Sequence, residues 1–141
     1  MKIRKLITVD LQDLIIKWSY EFFKDHMDFL SFTYHVQQTT NWEESITLMD
    51  GKKIMGVYLF GDTQLNGEYK VLRGIEGVLL AVDETIRGQG WGNKLKDYPK
   101  TLEIDYIWGY QLKSLNNLND WLKRRKLLYE TNDCYVTIEI F

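Results

Sequence analysis

Three glycines at alternate positions, Gly88, Gly90 and Gly92, come after the apolar run Val78–Val82 and a short polar link, and before a segment of helical character. A strand feeding a helix through such a turn lines up backbone N–H groups at the helix N-terminus, where the peptide dipoles favour an anion. Glycine suits the turn because it adopts positive φ and puts no Cβ in the way of an approaching phosphate. The chemistry expected is a diphosphate cradle. Two familiar cradles do not match. A P-loop needs G-x-x-x-x-G-K-S/T, whereas Lys94 sits between Asn93 and Leu95, with no hydroxyl to hold magnesium. The dinucleotide fingerprint is G-x-G-x-x-G at the start of a βαβ unit, and the spacing here is G-x-G-x-G in mid-chain. On the residues alone, a purely structural glycine turn also stands.

Glu76 lies on the strand that leads to this loop, eleven residues before Arg87. Period two puts Glu76, Val78, Leu80 and Val82 on one face and Gly77, Leu79 and Ala81 on the other. A lone carboxylate at the head of an apolar run is partly desolvated, which disfavours its charged form and suits it to taking up a proton. It reads equally as a solvated strand start or as a partner for Arg73.

From Arg87 the loop runs Arg87-Gly88-Gln89-Gly90-Trp91-Gly92, which fits Q/R-x-x-G-x-G/A. Preceded by Ala81-Val82-Asp83 and followed by a helix, this string resembles the acetyl-CoA loop of the GNAT family of N-acetyltransferases. The resemblance implies that the amides of Arg87 to Gly92 face the cofactor diphosphate. Asn93 and Lys94 add donors in the first helical turn, though Lys94 reads as well as a solvated side chain. It further implies that Leu80, Ala81 and Val82 offer main-chain groups to the pantetheine arm, and that Asn116 or Asn117 contacts the cofactor. In the histone-acetylating branch of the family, a glutamate at the offset of Glu76 is the general base. Such a base is needed because a primary amine, with a pKa of about 10, is mostly ammonium at neutral pH.

The implied activity is acetyl-CoA-dependent acetyl transfer to a primary amine, of a small molecule or of a protein lysine or N-terminus. Transfer is direct, within a ternary complex, and no metal is expected. One element departs from the family pattern. Many members carry a helix ending in Tyr-x-x-x-Gly-Phe, whose tyrosine is thought to protonate the leaving thiolate; here that slot falls on Trp121 or Leu122, with no Gly-Phe after it. An indole N–H is hardly acidic. Tyr106, Tyr110, Tyr129 or water must stand in. The same departure supports a second reading, a GNAT-fold module that binds acyl-CoA or a protein partner without turnover.

Bulk properties narrow the rest. The chain has 141 residues and a net charge of −2, and one domain over 1–141 is expected. No global positive field invites nucleic acid, and the basic run Lys123-Arg124-Arg125-Lys126 complements a helix C-terminus. A toxin-type transfer to RNA would need that run as its footprint. The single cysteine, Cys134, forms no internal disulfide, and His26 and His35 lack metal-ligand spacing. No apolar run approaches the roughly 20 residues of a membrane span, and the N-terminus lacks a signal peptide's apolar stretch. A cytoplasmic protein is expected. Asp25, Asp28, Glu43 and Glu44 would draw a cationic amine, or are ordinary surface charges.

These residues must be held by a scaffold whose elements the pattern marks out. Residues 2–8 alternate as a strand. Asp10 caps a helix with Leu11, Leu14, Ile15, Trp18 and Phe22 on one face. A second helix covers about 26–38. Strands at 45–49 and 53–60 flank the Asp50-Gly51 turn, and a turn at Asn66-Gly67 leads into a long strand over 70–83. After the loop comes a short helix that Pro99 ends, then a strand over 104–109. Ser114 caps a helix carrying Leu115, Leu118, Trp121 and Leu122, and strands at 126–131 and 134–140 close the chain. The order β-α-α-β-β-β-α-β-α-β-β is that of the GNAT fold, an α/β (α+β) architecture with a single mixed, mostly antiparallel central sheet flanked by helices. Edge strands of small sheets pair readily, so a homodimer is an expectation too.

Overall fold

A computed structural model describes residues 1–5, 7–66 and 70–141, and of Asn66 the backbone alone. The elements are β1 (Lys2–Arg4), α1 (Val9–Tyr20), α2 (Phe29–Thr39), β2 (Ile46–Asp50), β3 (Lys53–Asn66), β4 (Val71–Val82), α3 (Trp91–Asp97), β5 (Tyr106–Leu112), α4 (Leu118–Leu122), β6 (Lys126–Glu130) and β7 (Cys134–Ile140), with 3-10 turns at Glu84–Ile86 and Tyr98–Thr101. This is the expected order. The strands form one seven-stranded mixed sheet in the order β1-β2-β3-β4-β5-β7-β6. Pairs β1–β2, β2–β3, β5–β7 and β6–β7 are antiparallel, and β4–β5 is parallel.

Several boundaries differ, each for a local reason. Strand β1 stops at Arg4, and Thr8 rather than Asp10 caps α1, its hydroxyl accepting from Leu11 N at 3.4 Å. Helix α2 starts at Phe29 because Asp28 caps it, accepting from Ser31 N at 2.8 Å. The stripe that α1 buries is also rotated: Ile15, Ile16 and Ser19 are buried, while Leu14 is exposed. Strand β3 runs on past Phe60 to Asn66. Asn117, not Ser114, caps α4, accepting from Asn119 N at 2.9 Å. The Asp50-Gly51 turn is present, with Gly51 at φ +59. The turn expected at Asn66-Gly67 lies outside the described residues.

The chain divides into two compact units, Met1–Gly61 with Val78–Tyr98, and Asp62–Gly77 with Pro99–Phe141. In the first, Ile15, Ile16, Phe32 and Val36 of α1 and α2 pack with Val57, Leu59, Leu79 and Ala81. Phe23 stacks on Phe32 at 5.6 Å, and Tyr20 touches both Phe29 and Phe32, so core packing accounts for most of the N-terminal aromatics. Helix α3 is anchored by Leu95, which is fully buried; a Cβ at Gly56 would come within 3.3 Å of its Cδ1. In the second unit, α4 seats Trp121 with the Arg125 guanidinium 4.5 Å from its ring. Arg125 Nη1 donates to Thr137 Oγ1 at 3.4 Å, and Thr137 Oγ1 bonds the Gln111 amide at 2.8 Å. That face of the unit is thereby closed. Among the described residues, no helix is long and apolar enough to cross a membrane.

Candidate functional site

The glycine loop begins where β4 ends. Leu79 and Ala81 are buried while Val78, Leu80 and Val82 stay half-buried, the alternation that period two dictates. Asp83 then makes an Asx turn, its Oδ1 accepting from Thr85 N at 2.9 Å and Thr85 Oγ1 at 2.6 Å. The Thr85 hydroxyl bond, then the backbone one, holds the Asp83 carboxyl below its ordinary value. Asp83 N donates to Met55 O at 2.7 Å, so the strand end is pinned before the chain enters the loop. Arg87 folds back, its Nε donating to Val82 O at 3.4 Å and its guanidinium lying 5.7 Å from the Phe22 ring. The Val82 carbonyl, one of the expected pantetheine contacts, already serves this bond.

Gly88 and Gly90 have φ of +82 and +87, and a Cβ at either would meet nothing within 4 Å. Backbone conformation, not lack of room, therefore demands glycine at both. Gly90 is the N-cap of α3, and no side chain caps the helix. The first intrahelical bond runs from Lys94 N to Gly90 O at 3.1 Å. The earlier amides, of Trp91, Gly92 and Asn93, precede the intrahelical ladder. Lys94 places its ammonium 4.2 Å from the centre of the Trp91 ring. Arg87, Gly88, Gln89 and Gly90 are all exposed. Replacing Gly90 by Ala should cost about 1–2 kcal/mol of stability through strain alone, and thermal unfolding of the cofactor-free chain will read it. An open cleft of about 570 Å³ adjoins the loop start, lined by Trp18, Glu21, Phe22, Lys24, Asp83, Glu84 and Thr85.

Leu80, Ala81, Val82 and Arg87 to Asn93 thus share the first unit, while Glu76 and Asn116 belong to the second. There the parallel ladder registers Gly74–Gly77 against Tyr106–Gly109, with Glu76 opposite Trp108 and Gly77 opposite Gly109 as the last pair. Gly109 is obligatory, since its Cβ would lie 2.9 Å from Gly77 O. Asn116 donates from Nδ2 to Leu112 O at 2.9 Å and accepts at Oδ1 from Trp121 Nε1 at 3.0 Å. Its amide thereby ties α4 to the end of β5.

Of the three tyrosines that could replace the missing one, Tyr106 is buried, with its hydroxyl 3.0 Å from Thr63 Oγ1. Tyr110 and Tyr129 are half-exposed, and their hydroxyls lie 3.4 Å apart. The hydrogen bond with Tyr129 first, then partial desolvation and the negative fields of Tyr129, Glu76 and Cys134, holds the Tyr110 proton above the ordinary phenol value. Sequence reasoning passed over Trp108 as a site residue, since only the strand register places it opposite Glu76.

No protein-family model matches this chain, and no curated protein matches it in sequence. Solved structures do match in shape. PH1933 from Pyrococcus horikoshii superposes with a TM-score of 0.72 at 19% identity, covering 99% of this chain and 98% of the other. The PaiA N-acetyltransferase from Thermoplasma acidophilum, solved with coenzyme A, gives 0.64 at 10% identity over 99% and 98%. A protein assigned to the GNAT family from Desulfovibrio desulfuricans gives 0.69 at 10% identity, again over 99% and 98%. The chain has the GNAT fold.

Proposed function

We propose that this chain is an acetyl-CoA-dependent N-acetyltransferase acting on a primary amine. The observation that carries the reading is the loop Arg87–Gly92: it fits the GNAT acetyl-CoA motif, takes positive φ at Gly88 and Gly90, and opens an uncapped helix in a chain of that fold. Those features fit a diphosphate held by main-chain amides, with Gln89, Trp91 and Asn93 completing the cradle. Leu80, Ala81 and the Val82 N–H would line the pantetheine arm. Bound acetyl-CoA supplies an acetyl group already activated as a thioester. Glu76 takes a proton from the acceptor ammonium, leaving the neutral amine as nucleophile. The Tyr110–Tyr129 hydroxyl pair, or water, returns a proton to the departing sulfur.

Asn116 is proposed to reach the cofactor through the N–H and the lone pair that its two structural bonds leave over. The site is taken to act in the cytoplasm and as a single domain over 1–141.

The test is thermal unfolding with and without acetyl-CoA at about 100 times the dissociation constant. Binding to the native state alone should add about 2.7 kcal/mol, a shift of several degrees. The shift should exceed that given by adenosine diphosphate. Absence of any shift would reduce the loop to a structural turn and remove the acetyltransferase reading. A second reading, a binding module without turnover, is favoured by one observation: the usual tyrosine slot falls on Trp121 or Leu122, neither a proton donor to sulfur, and Trp121 is buried and bonded to Asn116. An acetyl-CoA shift with no amine acetylated would favour that module.

A further inference from the structure

The strand register of the second unit adds Trp108, which the proposed transfer does not use, to three side chains that it does. Glu76 is opposite Trp108 on β5, and Trp108 is opposite Ile138 on β7. Tyr110 is opposite Val136, which is opposite Tyr129 on β6. Directly opposed residues put their side chains on the same face. Glu76, Trp108, Tyr110 and Tyr129 therefore share one face of this unit, and Trp121 and Arg125 close the other through Thr137 and Gln111.

On the shared face, the Trp108 and Tyr110 rings are 5.4 Å apart and inclined at 65°, which makes a corner of two aromatic walls. Tyr129 extends the wall from the next-but-one strand, its hydroxyl 3.4 Å from that of Tyr110. Tyr110 and Tyr129 are 49% and 50% exposed, so both rings are open to a ligand from solvent. Lys126 and Cys134 lie on the same face, opposite Ile138 and Leu112 respectively, so Lys126 marks the cationic outer limit at the sheet edge.

Resting on the acetyltransferase reading, we infer that Trp108, Tyr110 and Tyr129 form an aromatic-walled subsite which, with the Glu76 carboxylate, selects the acceptor as an alkylammonium ion. Aromatic faces attract a cation through their quadrupole, indole most strongly. A carboxylate beside them supplies the counter-charge, and phenol oxygens accept from the ammonium N–H groups. Recognition and activation then use the same carboxylate: R–NH3⁺ is held by Glu76, and one N–H proton passes to that carboxylate to give R–NH2. The acceptor class is accordingly an amine on an alkyl stem, as in a lysine side chain or an aliphatic polyamine, in preference to an aromatic or uncharged amine.

The test uses n-butylammonium and 1-butanol as probes, equal in length and differing in charge, titrated against the cofactor-free protein at neutral pH by ligand-observed NMR. Butylammonium should bind at least 5-fold more tightly than butanol. Trp108→Leu should weaken butylammonium by about 3- to 30-fold, and Trp108→Phe, which keeps an aromatic face, should restore most of that loss. Tyr129→Leu should weaken it less, and Glu76→Gln should remove most of the preference for charge. Equal binding of the two probes, or butylammonium binding untouched by Trp108→Leu, overturns the inference. The acetyl-CoA thermal shift, measured on the same samples, separates the two claims. A normal shift without ammonium selectivity removes the subsite alone, and selectivity without a shift removes acetyl transfer alone.

Discussion

Replacing Glu76 by Gln should lower the turnover of amine acetylation by about 100- to 10,000-fold, the range that one positioned general base contributes. The substitution keeps the volume of the side chain and its place opposite Trp108 on the β4–β5 ladder, so the fold should be unaffected. It removes the ability to accept a proton and, with it, the negative charge that would hold the ammonium ion. Stabilisation by acetyl-CoA should therefore match that of the unaltered chain, since none of the loop amides from Arg87 to Gly92 is touched. Raising the pH towards the amine pKa should recover part of the loss, because more acceptor is then already neutral. Steady-state kinetics over a pH series, with a thermal shift as control, reads both. Unchanged turnover would dismiss Glu76 as the base.

The largest stability effect should come from Trp121→Ala, at about 3–5 kcal/mol and roughly 10–15 °C in unfolding temperature. Trp121 is only 4% exposed and carries three dependants. Its ring lies under the Arg125 guanidinium, its Nε1 satisfies Asn116 Oδ1, and it fixes the five-residue α4. Truncation leaves a cavity, strips the Asn116 oxygen of its donor and removes the ring from beside a buried cation. Trp121→Phe separates these losses, since it keeps a ring for Arg125 and gives up the Asn116 bond. Its cost should be about 1–2 kcal/mol beyond repacking. Calorimetry on the two variants measures the difference. A Trp121→Ala chain as stable as its parent would show that α4 adds nothing to the second unit.

The loop was legible because its chemistry is local. Positive φ at Gly88 and Gly90, an apolar strand before them and a helix after them are short-range properties, and all three are present. Element order was legible for the same reason, through periodicity and turn residues. Ends were less so. Thr8 outcompetes Asp10 as a cap because the chain is already extended at Thr8, with ψ of 164, and its hydroxyl reaches Leu11 N. Gly61-Asp62-Thr63 has the composition of a turn, yet β3 continues through it. The grouping of Trp108 with Glu76 and Tyr129 lay beyond the sequence. It depends on three pairings among four strands, including a register shift between Leu127 and Tyr129 that composition does not announce.

That register shift has a colloidal consequence. Strand β6 lies at one edge of the sheet, all five of its residues are exposed, and Leu127, Leu128 and Tyr129 give it an apolar centre. A straight strand of that kind templates addition of further chains and, repeated, a fibre. Leu128 is the residue left out of the pairing with β7. An extra residue of this kind twists the edge and breaks the even spacing that stacking requires, while Lys126 and Glu130 put opposite charges at its two ends. The irregularity that sets which face Tyr129 occupies should thus also work against edge-to-edge stacking of this strand.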